Sequence, residues 1–140
     1  MRLFGCALLL AAAVLASACS SDSSTPTAPS ANVPFSTVDV RVGTGAEANT
    51  GRRVTVNYAG YLYSATAAEN KGSRFDAGTS FAFTVGTGVI QGFSQGVIGM
   101  RVGGLRRVII PPSLGYGAQA NGAIPANSTL VFDLELLTVQ

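Results

Sequence analysis

After residue 35, apolar and polar residues alternate along several short stretches, the period-two pattern of strands with one buried face. Val38-Asp39-Val40-Arg41-Val42 alternates as a half-buried strand does, and Gly43-Thr44-Gly45 ends it. Arg53 to Tyr58 alternates again, and residues 59–63 prolong it. Ser80 to Val85 puts Phe81, Phe83 and Val85 on one face. Leu105 to Ile110 ends in three β-branched residues and is stopped by Pro111-Pro112, which cannot continue a central strand. The clearest pattern covers residues 129–139. There Leu130, Phe132, Leu134 and Leu136 face one way, and Val131, Asp133 and Glu135 face the other, a polar side on which both acids are expected to be solvated. Only one stretch changes period: Phe93, Val97 and Met100 fall at i, i+4 and i+7, one helical stripe within residues 90–100. Gly96 weakens that helix and Gly99 suits its end. The pattern predicts an α+β domain, about five antiparallel strands wrapped around one short helix, without internal repeats.

The chain before residue 35 reads differently. Met1-Arg2 precedes an apolar run at residues 3–16, the length of an export-signal core and short of the roughly 20 residues that span a bilayer as a helix. Ala16-Ser17-Ala18-Cys19 follows, and two readings stand. Small residues before a cysteine resemble the bacterial lipobox, which would make Cys19 a lipidated mature N-terminus. The same residues also form an ordinary small-x-small cleavage site of a soluble secreted protein. Loss of residues 1–18 leaves Cys19 as the single cysteine, so no intramolecular disulfide can form. A lone terminal thiol in an oxidising compartment favours lipidation. Residues 20–34 are rich in Ser, Thr, Pro and Ala with one charge, and read as a linker spanning roughly 20–25 Å. The expected organisation is a signal peptide over 1–18, a lipidated N-terminus and linker over 19–34, and one folded domain over 35–140. The expected location is the cell envelope, lipid-anchored to an outer membrane and facing the periplasm or the surface.

Composition narrows the chemistry. The 140 residues include no His and no Trp, which removes the commonest general base and metal ligand and excludes a Ser–His hydrolase. Two cysteines without histidine cannot build an ordinary zinc site, and the acids are dispersed along the chain, so no metal or other cofactor is expected. A net charge of +2 is too small to suggest nucleic acid. Sixteen of the 17 glycines lie between residues 43 and 122, yet Gly86 to Gly92 lacks the spacing of a phosphate-binding loop. Aromatic residues are spread over every predicted element, and core packing is the default for each. Three loop features stand out: Phe75-Asp76, Tyr116 between two glycines, and Ala123-Ile124-Pro125-Ala126.

The order and spacing of these pieces carry a resemblance. Val56-Asn57-Tyr58-Ala59-Gly60, Phe75-Asp76, Phe81-Ala82-Phe83, Val89-Ile90-Gln91-Gly92-Phe93, Gly96-Val97, Gly103-Gly104, Ile110-Pro111-Pro112, Leu114-Gly115-Tyr116-Gly117-Ala118, Ile124-Pro125 and Leu130 to Leu137 together resemble the FKBP-type peptidyl-prolyl cis-trans isomerases over residues 36–139. The resemblance implies a five-to-six-stranded antiparallel sheet around a short helix, and cis–trans isomerisation of Xaa-Pro bonds in a pocket between them. It implies Tyr58, Asp76, Phe132 and Tyr116 as catalytic residues, with Asp76 holding the Tyr58 hydroxyl. Phe75, Phe81, Val89, Ile90, Phe93 and Ile124 then bind substrate. The implied partners are proline-containing polypeptides of exported proteins, with macrolide inhibitors as a second ligand class, and the expected state is a monomer. A non-catalytic proline-motif module or holdase using the same pocket is the alternative. Three departures stand out. Phe93 occupies a position that is often Trp in the family. An Arg found shortly after the Phe-Asp pair in some members is missing, with Arg74 as the nearest substitute. Residues 61–74 are longer than in the smallest members, with Asn70-Lys71-Gly72 expected as a surface bulge.

Overall fold

The buried row of the last strand organises everything around it. In the computed structural model, which describes residues 33–140, Leu130, Leu134 and Leu136 are fully buried and Phe132 nearly so. The strands are β1 (Ser36–Arg41), β2 (Arg53–Tyr63), β3 (Lys71–Thr84), β4 (Leu105–Ile110) and β5 (Leu130–Val139). They form one antiparallel sheet of order β1-β4-β5-β2-β3, with β5 at its centre. Helix α1 (Gln91–Val97) lies against β4 and β5. It fits because Gly96, a poor helix former, is where the helix touches the sheet. A Cβ there would come within 2.7 Å of a Val108 methyl. The predicted α+β architecture of strands and one helix is therefore present. The leader, Cys19 and residues 20–32 lie outside the described residues.

Local expectations fared unevenly. β1 was expected to be half-buried, but it is the sheet's edge, and Val38, Val40 and Val42 are 59%, 52% and 73% exposed. Its structural contacts are polar instead. Asp39 accepts from Arg106 Nε at 2.6 Å, and Arg106 donates to the Gly96 and Ile98 carbonyls at the helix C-terminus. Alternation marks a strand, but not which of its faces has a neighbour. β3 starts at Lys71 rather than Ser80, so Phe75-Asp76 sits within a strand and not in a loop. The early half of β3 is exposed and glycine-punctuated, which hides it from a hydrophobicity pattern. The chain turns into it through a 3-10 turn, Ala68–Asn70, where Glu69 and Asn70 take left-handed φ of 56° and 58°.

Asn70-Lys71-Gly72 is not a free surface bulge, and Asp133 is not solvated. Lys71 Nζ lies 2.9 Å from both Asp133 and Glu69, and Arg107 Nε donates to Asp133 at 2.8 Å. Asp133 and Lys71 side chains are only about one-fifth exposed. Burial pushes the Asp133 carboxyl up, but hydrogen bonds from Arg107 and Lys71 outweigh it and hold the group below the usual carboxylate range. Glu135 is more open and sits 3.7 Å from Arg41.

Candidate functional site

Where β2, β3, β5 and the start of α1 converge, six aromatic rings meet. A hollow of about 210 Å³ is lined by Tyr58, Phe75, Asp76, Phe81, Gly88, Val89, Ile90, Phe93, Tyr116 and Phe132. Drug-sized ligands usually occupy roughly 300–1,000 Å³, so this space suits one compact side chain. Phe93 from α1 and Phe132 from β5 form the buried floor, each 4% exposed, with ring centroids 5.2 Å apart at 88°. Tyr58 stands edge-on to Phe93 at 5.7 Å and to Phe81 at 5.6 Å. Phe75 meets Phe132 edge-on at 5.5 Å. Edge-to-face contacts match the positive ring edge to the negative ring face, which holds the cage's shape. Val89, Ile90 and Tyr116 are half-buried at the rim, and Asp76 and Phe81 are exposed.

Two backbone features build the cage. Gly60 lies beneath the Phe75 and Phe132 rings, and a Cβ there would come within 2.7–2.9 Å of them. The second is a bulge between β2 and β3. Pairing shifts between Val56 and Tyr58, Ser80 takes a left-handed φ of 53°, and Asn57 Oδ1 accepts the Ser80 N–H at 2.9 Å. The shift brings Asp76, opposite Gly60, and Phe81, opposite Val56, to one face of β3, which regular alternation would deny to residues five apart. Such bulges re-aim side chains next to functional sites.

The Tyr58 hydroxyl donates to Asp76 Oδ2 at 2.9 Å, while Asp76 Oδ1 accepts the Ala77 N–H at 2.8 Å. Burial, then the Asp76 bond and charge, raise the Tyr58 pKa, so the phenol stays protonated and donating at neutral pH. Tyr116 Oη makes no hydrogen bond to another described residue and remains available to an incoming carbonyl. Ile90 caps α1, its carbonyl accepting from Phe93 and Ser94 N–H.

Nine of the ten residues named from sequence thus meet in one hollow. The tenth, Ile124, is 5% exposed and lines an adjoining hollow of about 200 Å³ with Phe75, Asp76, Tyr116, Asn121, Gly122 and Ala123. It anchors a tight turn in which Asn121 and Ile124 exchange both backbone hydrogen bonds at 2.9 Å. Sequence reasoning missed Asn57 and the bulge, for which the signal was a polar residue inside a strand. It also missed the second hollow, whose small residues give no signal. A larger depression of about 410 Å³ lies around Asn57, Leu105, Asp133 and Glu135. Its carboxylates already face Lys71, Arg107 and Arg41, and its one ring is Tyr58, so it is a weaker candidate. Among the described residues, no group of side chains could hold a metal ion, and no helix is long and apolar enough to cross a membrane.

Comparison with known proteins points to one family. A family model described as FKBP-type peptidyl-prolyl cis-trans isomerase matches residues 45–137. FK506-binding protein 3 of Candida albicans is 47% identical over 108 residues, covering 74% of this chain. The chain spans only 24% of that relative's length. The structure of FkpA from Escherichia coli superposes with a TM-score of 0.64 at 36% identity, covering 76% of this chain and 48% of that one. AtFKBP13 gives 0.64 at 33% identity, covering 76% of this chain and 93% of that one.

Proposed function

The chain belongs to the FKBP-type peptidyl-prolyl cis-trans isomerase family, and on that premise we propose that its aromatic hollow accelerates rotation about Xaa-Pro bonds in other polypeptides. The observation that carries this reading is the cage of six rings with a single charged group, Asp76, at its edge. Amide rotation meets a barrier of about 18–20 kcal/mol, somewhat eased before proline, and uncatalysed exchange takes tens of seconds or longer. In the transition state the amide twists and loses resonance, so its carbonyl is less polar than in the planar ground state. An apolar cage that excludes water favours the twisted form over the planar one, which is the differential binding that lowers a barrier. No proton transfer or covalent intermediate is needed, and a chain without histidine can do this work.

In this reading Tyr58, Phe81, Phe93 and Phe132 receive the prolyl ring, with Phe75 as a wall. Val89 and Ile90 sit at the rim, where the Ile90 N–H bonds substrate backbone. Tyr116 Oη donates to a substrate carbonyl. Asp76 fixes the Tyr58 hydroxyl and sets the field beside the twisting amide. Ile124 supports the wall through its turn. The clients are exported polypeptides. The chain acts as a monomer tethered through lipidated Cys19, on the envelope side that the leader implies, with residues 20–34 as spacer. Macrolide ligands are a second ligand class for the same pocket.

Exchange NMR on short Xaa-Pro peptides tests the activity. The expected result is acceleration by catalytic amounts of protein. No acceleration by protein whose fold is verified by circular dichroism would leave only a binding module. Mass spectrometry of the mature N-terminus tests the anchor, and an unmodified Cys19 would rule it out.

A further inference from the structure

Asp76 is the one charged residue among the linings of the two adjoining hollows. Its oxygens accept from the Tyr58 hydroxyl and the Ala77 N–H, both neutral donors. Among the described residues no Lys or Arg forms an ion pair with it, although the other five described acids, Asp39, Glu47, Glu69, Asp133 and Glu135, all have one. Arg74, two residues away, is exposed and does not reach it. An anion without a cation therefore stands at the junction of two hollows, and Asp76, Phe75 and Tyr116 line both.

The position of the junction says which part of a substrate it faces. This step rests on the isomerase reading. With the prolyl ring in the aromatic hollow, the amide lies beside Asp76 and Tyr116. The chain on the other side of that amide is the residue before proline. Its side chain has the second hollow open to it, whose remaining wall is Asn121, Gly122, Ala123 and Ile124. Those residues are small or uncharged and leave room for a long side chain. The turn that carries them is fixed by the paired Asn121–Ile124 backbone bonds and by the burial of Ile124.

We propose that the second hollow receives the residue preceding proline and that the unpaired Asp76 carboxylate makes it selective for lysine or arginine there. Long-range charge is enough for this, because Asp76 is exposed and no desolvated ion pair is required. At about 6 Å in water, a unit charge pair changes an equilibrium about threefold. Lys-Pro is thus favoured about threefold over Gln-Pro, and Gln-Pro about threefold over Glu-Pro. A lysine in the second hollow is the partner that Asp76 lacks among the described residues.

Exchange NMR on one peptide series, with Lys, Gln or Glu before proline, reads this directly as kcat/KM. The expected order is Lys, Gln, Glu, with the spread shrinking as salt rises to about 0.5 M. Asp76→Asn is expected to lower all three rates and bring them to a common value. Ala123→Lys, in the wall of the second hollow, is expected to lower the Lys-Pro rate relative to the Glu-Pro rate and so reverse their order. Equal rates across the series with Gln-Pro still accelerated would overturn this inference and leave isomerisation standing. So would a charge preference that appears only when the charged residue follows proline. If no peptide is accelerated, isomerisation fails, and 15N chemical-shift titration with the Lys-Pro and Glu-Pro peptides decides the charge preference from their affinities.

Discussion

Phe132 and Asp133 are neighbours on β5, yet they belong to opposite worlds. Phe132 points to the helix side and is the floor of a cage of rings. Asp133 points to the other side and is held by Lys71 and Arg107, with Glu69 closing the network. Charge on the second face is compensated within the chain, and the one carboxylate at the cage is not. The paired acid ties β3, β4 and β5 together, whereas Asp76 accepts only neutral donors among the described residues. Period-two alternation permits this division, because each residue step along a strand changes face.

Removing the floor should have the largest effect. Phe132→Ala deletes a ring that touches Tyr58, Phe75 and Phe93. Urea unfolding followed by circular dichroism is expected to show a loss of about 3–5 kcal/mol. The peptide exchange rate should fall by more than about tenfold, since the cage loses the wall that its other rings lean on. A folded variant with wild-type rates would mean the prolyl site lies elsewhere.

The other face should respond in stability alone. Asp133→Asn leaves Lys71 and Arg107 facing a neutral amide. With the carboxylate one-fifth exposed, the expected cost is about 1–3 kcal/mol, with the exchange rate unchanged. A rate loss matching that of the floor variant would erase the distinction between the two faces. The same pair gives a pH signature. The folded pKa values of Asp133 and Glu69 are depressed, so their contribution is present above the ordinary carboxylate value near 4 and is lost as pH falls through the lower folded values. Lys71 is raised, chiefly by its Glu69 and Asp133 bonds, so its contribution is complete below about pH 10.4 and is lost as pH rises through the folded value. Thermal melts across acid pH should show Asp133→Asn losing part of the wild-type acid dependence.

Asp76→Ala tests the unpaired acid. Among the described residues its oxygens bond only Tyr58 and the neighbouring Ala77 amide, and it is exposed, so stability should change by no more than about 1 kcal/mol. The exchange rate should fall about tenfold, equivalent to about 1.4 kcal/mol at the transition state. Loss of stability without loss of rate would put Asp76 in the same class as Asp133.

The two faces were not equally legible in sequence. The cage residues lie at motif spacings, and nine of the ten that line the hollow are legible from the sequence. β4 and β5 declare themselves because buried residues recur every second position. The ion-pair face was invisible. Lys71 and Asp133 are 62 residues apart, and nothing local says that a lysine after a 3-10 turn will fold back onto a central strand. The acid was expected in solvent because alternation reports polarity, not pairing. β1 failed for the converse reason. Its valines alternate correctly, but an edge strand has no second layer to bury them. The first half of β3 has too few apolar residues to be seen, although it places Phe75 and Asp76.

The smallest expected effect belongs to Tyr116, and it separates shape from hydrogen bonding at the cage. Its ring lines both hollows, whereas its hydroxyl bonds no described residue. Tyr116→Phe keeps the ring and removes only the hydroxyl. Stability should stay within about 0.5 kcal/mol, as no internal bond is lost. One neutral hydrogen bond to substrate is worth roughly 0.5–1.5 kcal/mol, so kcat/KM should fall about two- to tenfold. If the bond forms equally to the planar and the twisted amide, the loss appears in KM alone. If it strengthens as the amide twists, kcat falls as well. A Tyr116→Phe protein with unchanged kcat and KM would mean that the cage works through its rings and the Asp76 field without help from this hydroxyl.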